Sequence, residues 1–87
     1  MAERKLRAIG KIAHYFSKIG VAVIELTDTL SVGDRILVRG PTTSFEQTIQ
    51  SMQIEHENVA TAQGGQSVGL KVDQRVREED KVYKIVA

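Results

Sequence analysis

The chain contains no cysteine. That absence excludes disulfides, thiolate nucleophiles and cysteine-ligated zinc, and it suits a reducing compartment. Histidine is scarce: His14 and His56 lie far apart, whereas metal centres draw three or four ligands at tight spacing. Glu55-His56-Glu57 places three ligand-type residues in a row, but successive strand residues face opposite sides. That triplet reads as a solvated loop end. No serine or threonine has a His/Asp partner placed near it, and no glycine-rich phosphate loop occurs, so catalysis, nucleotide binding and a cofactor are not expected. No apolar run reaches the length of a signal-peptide core or the ~20 residues of a membrane span. The expectation is a cytoplasmic, non-enzymatic protein with no membrane partner.

An excess of one charge sign is also missing. Twelve basic residues face eleven acidic ones, a net charge of +1, so overall charge does not point to an anionic partner. The distribution is uneven, however. Arg4, Lys5, Arg7, Lys11 and Lys18 crowd the N-terminal segment against a single acid, Glu3. This stripe reads either as an anion-binding face or as a strand edge guarded by lysines. Glu78-Glu79-Asp80 reads as a solvated turn. Only four aromatic residues are present; Tyr15, near Lys18, is the candidate for stacking on a base.

What the sequence does contain is a series of short apolar runs. Eighty-seven residues make one domain, with about 60–65% of the unfolded surface buried and no room for a deep cleft. Residues 1–4 are expected to be a disordered tail and residues 5–87 a single domain. Strands are predicted at 5–16, 20–26, 35–39, 45–54, 67–72 and 81–86. In the first, Ile9, Ile12, Ala13 and Phe16 also fit a helical period, but Gly10 weakens a helix and marks a bulge where the apolar parity slips. Val21 to Ile24 is apolar on both faces, as a central covered strand would be. Gly40-Pro41 ends the third run in a turn, a second bulge is expected near Ser51, and Gly64-Gly65 marks another turn. Six short strands with frequent turn signals predict an all-β, six-stranded, closed or nearly closed small barrel. The predicted core comprises Ile12, Val21, Val23, Leu30, Val32, Ile36, Val38, Ile49, Met52, Val68, Leu70 and Val82.

The most informative stretch is Leu30-Ser31-Val32-Gly33-Asp34-Arg35-Ile36-Leu37-Val38. Gly33 permits positive φ, Asp34 caps the turn, and an alternating strand follows. This pattern resembles the L-x-V-G-D-x-(I/V)-x-(I/V) signature of domain 2 of elongation factor Tu and its relatives. Ala62, Gly65, Val68, Gly69 and Leu70 are similar to that domain's A-x-x-G-x-x-V-G-(L/V) block, where Gly69 would let another backbone pass close by. Asp80-Lys81-Val82 resembles its G-D-x-V, with Glu79 in place of the glycine. The resemblance implies a translation-factor domain-2-like barrel that docks to RNA or to the translation machinery, with tRNA or the ribosome as partner. Candidate nucleic-acid contacts are then Arg4, Lys5, Arg7, Lys11, Tyr15, Lys18, Arg35 and Arg39, and the structural turn residues are Gly33, Asp34, Gly65 and Gly69. Gln53 stands where the family carries an acid in its tRNA-end pocket, and Tyr15 to Gly20 is an insertion. A second resemblance runs through Tyr15, Ile19-Gly20-Val21-Ala22-Val23, the Val32-Gly33-Asp34 turn and Arg39-Gly40-Pro41. It is to the C-terminal barrel of collagenase-like peptidases, and it implies a protein-docking barrel that partners an enzyme.

Overall fold

In residues 5–86, which the computed structural model describes, every regular element is a strand. They are β1 (Leu6–Phe16), β2 (Val21–Leu26), β3 (Leu30–Ser31), β4 (Arg35–Arg39), β5 (Ser44–Thr48), β6 (Met52–Ile54), β7 (Glu57–Val59), β8 (Thr61–Ala62), β9 (Ser67–Lys71) and β10 (Lys81–Ile85). Eight of them form one sheet in the order β5-β4-β10-β1-β2-β9-β6-β7, and β3 pairs with β8. Every pairing is antiparallel. The tail expected at residues 1–4 lies outside the described residues.

The six-strand expectation is therefore corrected in a specific way. The run 45–54 is not one bulged strand but two, β5 beside β4 and β6 beside β9. Buried Ile49 marks the break, its backbone tied to Gly33 and Asp34. Consecutive segments thus serve opposite ends of the sheet, which bends it strongly. The pairing itself does not close into a ring, since β5 and β7 are its two edges. Gln47 of β5 spans the gap: its Nε2 donates to the Lys71 carbonyl at 2.9 Å, and its Oε1 accepts from the Asp73 N–H at 2.8 Å.

The bulge expected at Gly10 is present, as a register shift between Ala8 and Gly10 against β10. A side chain at Gly10 would collide with the Glu25 carbonyl of β2, so glycine is required where β1 bends. A further shift, between Ile12 and His14 against β2, has no glycine to announce it. At the Gly40 turn, the Gly40 and Thr43 backbones exchange hydrogen bonds with Pro41 at the second position.

The core lies on the inner side of the curled sheet and includes Ile9, Ile12, Ile24, Ile36, Val38, Val68 and Val82, all with no exposed surface. Three predicted core residues are not there. Val21 and Val23 are only half-buried, because β2 presents Ala22, Ile24 and Leu26 inward and Glu25 outward. Val32 is 41% exposed, since it occupies the turn between β3 and β4. Asp80 departs in the opposite sense. It is not a solvated member of an acidic run but 2% exposed, its Oδ2 accepting the Arg77 N–H.

Candidate functional site

The strands carry the predicted cations to widely separated places. Lys5 and Lys18 lie beyond opposite ends of the eleven-residue β1, and Arg4 is outside the described residues. Arg7 pairs with Asp28 at 3.5 Å, Lys11 with Glu79 at 3.5 Å and Glu25 at 3.9 Å, and Arg35 with Glu46 at 3.4 Å. One alignment went unforeseen: Lys11, Lys81 and Arg39 stand side by side across β1, β10 and β4. Of the three, Lys11 is paired with carboxylates. Tyr15 is half-buried and packs against the core, and Phe16 is the more exposed aromatic.

Of the turn residues, Gly33 (φ 96) and Gly65 (φ 93) adopt the left-handed conformation their positions were expected to need. Asp34 caps its turn by accepting the Ser31 N–H at 2.9 Å, and it also binds Lys84 Nζ at 3.2 Å. Gly69 does not permit a close backbone approach. A Cβ there would meet Val21 Cγ1 at 3.6 Å and the Gln53 carbonyl at 3.9 Å, both ordinary contacts.

The lack of a side chain at Gly69 instead opens the outer face of the sheet. Gly69 lies between Val23 of β2 and Gln53 of β6. Over it sits a groove of ≈ 410 Å³ lined by Phe16, Ile19, Val21, Val23, Gln53 and Gly69, with Glu55 and His56 also at its wall. Phe16 is 46% exposed and Ile19 62%. The His14 ring props Phe16 edge-on at 4.4 Å. Gln53 is held aside by its Nε2, which donates to Asn58 Oδ1 at 3.2 Å. Phe16, Ile19, Val21 and Val23 make this concavity apolar and contiguous.

Ser67 and His56 line the same groove, but among the described residues no hydrogen bond joins them, and a serine nucleophile needs that bond to its base. Among the described residues no three His, Asp or Glu side chains gather to hold a metal ion. No helix among them is long and apolar enough to cross a membrane.

Comparison with known proteins points to one group. No family model matches the chain. It is 45% identical over 76 residues to a Methanocaldococcus jannaschii protein named an uncharacterized protease, covering 86% of this chain and 19% of that one. It is 36% identical over 85 residues to a collagenase of Porphyromonas gingivalis, covering 95% of this chain and 20% of the collagenase. The chain thus spans about one-fifth of the length of these relatives. Among solved structures, the C-terminal domain of a Geobacillus thermoleovorans protein described as a U32 peptidase superposes with a TM-score of 0.84 at 22% identity, over 90% of this chain and 91% of that domain. The chain shares the fold of that domain. Of the two resemblances read from the motifs, the similarity found lies with the collagenase-like one; the translation-factor resemblance rests on its motifs alone.

The groove was legible in part. Val21 to Ile24, apolar on both faces, reads as a strand covered on both sides; among the described residues its outer side chains Val21 and Val23 are only half-buried and line the groove.

Proposed function

We propose that the chain is a non-catalytic docking barrel, closed where β5 passes into β6, that binds a collagenase-like peptidase. The observation that carries this reading is the apolar groove over Gly69, on a chain that matches one-fifth of a collagenase along 95% of its own length. An open apolar groove on a small rigid sheet binds a partner by burying Phe16, Ile19, Val21 and Val23. The cation stripe favours RNA less, because Arg7, Lys11 and Arg35 are paired with carboxylates and nucleic-acid affinity depends on cations free to displace counterions.

The test is binding in trans. The Porphyromonas gingivalis collagenase, with the segment matching this chain removed, is mixed with this chain, and complex formation is followed by size-exclusion chromatography with light scattering. A one-to-one complex that is lost with Gly69→Val supports docking through the groove. No complex with the collagenase, together with salt-sensitive shifts of the amides of Lys5 to Lys18 on adding bulk tRNA, would return the reading to an RNA-associated module.

A further inference from the structure

The groove is graded in charge along the strands. Three outward rows cross β1, β2 and β9 at successive positions of the same parity: Lys11–Glu25–Ser67, then His14–Val23–Gly69, then Phe16–Val21–Lys71. Gln53 extends the middle row into β6. Glu55, which follows β6, lies in the same groove wall as Ser67. One end of the groove therefore carries Glu55 and its middle is apolar, while Lys71, at the far end of the rows, stands outside the lining. Glu25 already shares Lys11. Glu55 is exposed and carries no ion pair among the described residues, and no lysine or arginine lines the groove.

From this charge pattern we infer that the groove holds an extended peptide segment of the partner, with apolar side chains at alternate positions and a lysine or arginine two residues beyond the last of them. The spacing follows from geometry. Alternate residues of an extended chain face the same way and rise by the same interval as the rows of the sheet beneath. Apolar residues over the Val21 and Val23 rows then bring the next same-facing residue over Ser67, beside Glu55. A cation there meets an unpaired carboxylate at the edge of an apolar surface, and an acidic residue there is repelled. Complementarity of this kind sets specificity more than affinity. The inference rests on the docking reading and adds the chemistry of the docked segment.

The probes are blocked peptides titrated into the isotopically labelled chain and followed by amide shifts. One is Gly-Leu-Ser-Leu-Ser-Lys-Gly, used with its reversed sequence because the rows do not fix chain direction. A second replaces the lysine by glutamate. A third, Gly-Leu-Ser-Leu-Lys-Ser-Gly, moves the lysine to the opposite face. The expected result is shifts at Val23, Gln53 and Gly69 with one direction of the first peptide, and binding weakened about two- to fivefold by either alteration. Glu55→Lys should invert the preference between lysine and glutamate. Gly69→Val should remove the shifts while leaving the remaining amide spectrum in place. Equal binding of the lysine and glutamate peptides, equal binding of the displaced-lysine peptide, shifts on another face, or no shifts at millimolar peptide each overturn the inference. If the peptides behave as expected but no complex forms with the collagenase, the peptidase reading fails and the groove chemistry stands. If the complex forms and survives Glu55→Lys unchanged, the reverse holds.

Discussion

Asp34 and Asp80 perform the same task in two separate turns. Each Oδ2 accepts the N–H of the residue three positions earlier, Ser31 or Arg77, at 2.9 Å. Each returns its own N–H to the carbonyl of that residue at 3.1 Å. The residue before each is left-handed, Gly33 with φ 96 and Glu79 with φ 73. Each turn is then docked by a reciprocal backbone pair at 2.8 Å, Gly33 and Asp34 with Ile49, Glu79 and Asp80 with Ile12. The strands that follow, β4 and β10, pair with each other. One device, used twice, starts two neighbouring strands.

The two copies differ in the residue that carries the positive φ, and stability should follow that difference. Gly33→Val forces a β-branched side chain into a conformation it disfavours, although no atom lies within 4 Å of its Cβ. The expected loss is about 1–3 kcal/mol. Glu79→Gly relieves the same strain in the other turn and gives up the exposed Lys11 bridge, for an expected gain of about 0.5–1 kcal/mol. Thermal melts check both: Tm falls for the first and rises for the second. An unchanged Tm for Gly33→Val would show that the turn tolerates side chains at that φ.

Two glycines on strands that flank β2 should respond oppositely to alanine. Gly10→Ala drives a methyl into the Glu25 carbonyl at the β1 bulge and should cost about 1–3 kcal/mol, as overpacking does. Gly69→Ala makes only ordinary contacts, and it removes the entropic penalty of glycine in a strand, for a gain of up to about 1 kcal/mol. Urea titration of both variants tests the pair, because equal midpoints would contradict the difference in local space.

Gln47 is the side chain that draws β5 toward the end of β9, and it is buried. Gln47→Leu keeps similar volume but leaves the Lys71 carbonyl and the Asp73 N–H without these partners. The expected cost is about 1–3 kcal/mol. Hydrogen exchange locates the effect: faster exchange concentrated in residues 44–48 and at Asp73 is expected, whereas a uniform change would deny Gln47 a role in closure.

Much of this arrangement was readable from residue pattern. The alternating runs gave an all-β chain, Gly33-Asp34 its turn, Gly40-Pro41 its break and Gly10 its bulge, because each of those positions needs a particular backbone chemistry. The parity of β2 misled, since Val21-Ala22-Val23-Ile24 offers no polar residue to mark the outside. Glu25, one step further, faces outward and fixes Val23 and Val21 with it. Asp80 was hidden by its acidic neighbours, although its place after Glu79 repeats that of Asp34 after Gly33. The groove depends on Gly69 lying beside Val23 and Gln53, which come together only through strand pairing.

The last prediction concerns the turn at the groove's acidic end. Glu55 (φ 50) and His56 (φ 67) are the two central residues of the β6–β7 hairpin, both left-handed, where Asn-Gly is strongly preferred. Replacing them together by Asn-Gly should stabilise the chain by about 1–2 kcal/mol, a Tm increase of roughly 5–10 °C for a domain of this size. The same change removes the unpaired carboxylate from the groove wall, so the preference for the lysine peptide over the glutamate one should disappear. A protein optimised only for stability would carry Asn-Gly here. Melting and peptide titration of the double variant separate the two contributions. A rise in Tm with loss of charge preference identifies Glu55-His56 as retained for binding at a cost in stability. A rise in Tm with the preference intact moves the source of that preference to Glu25.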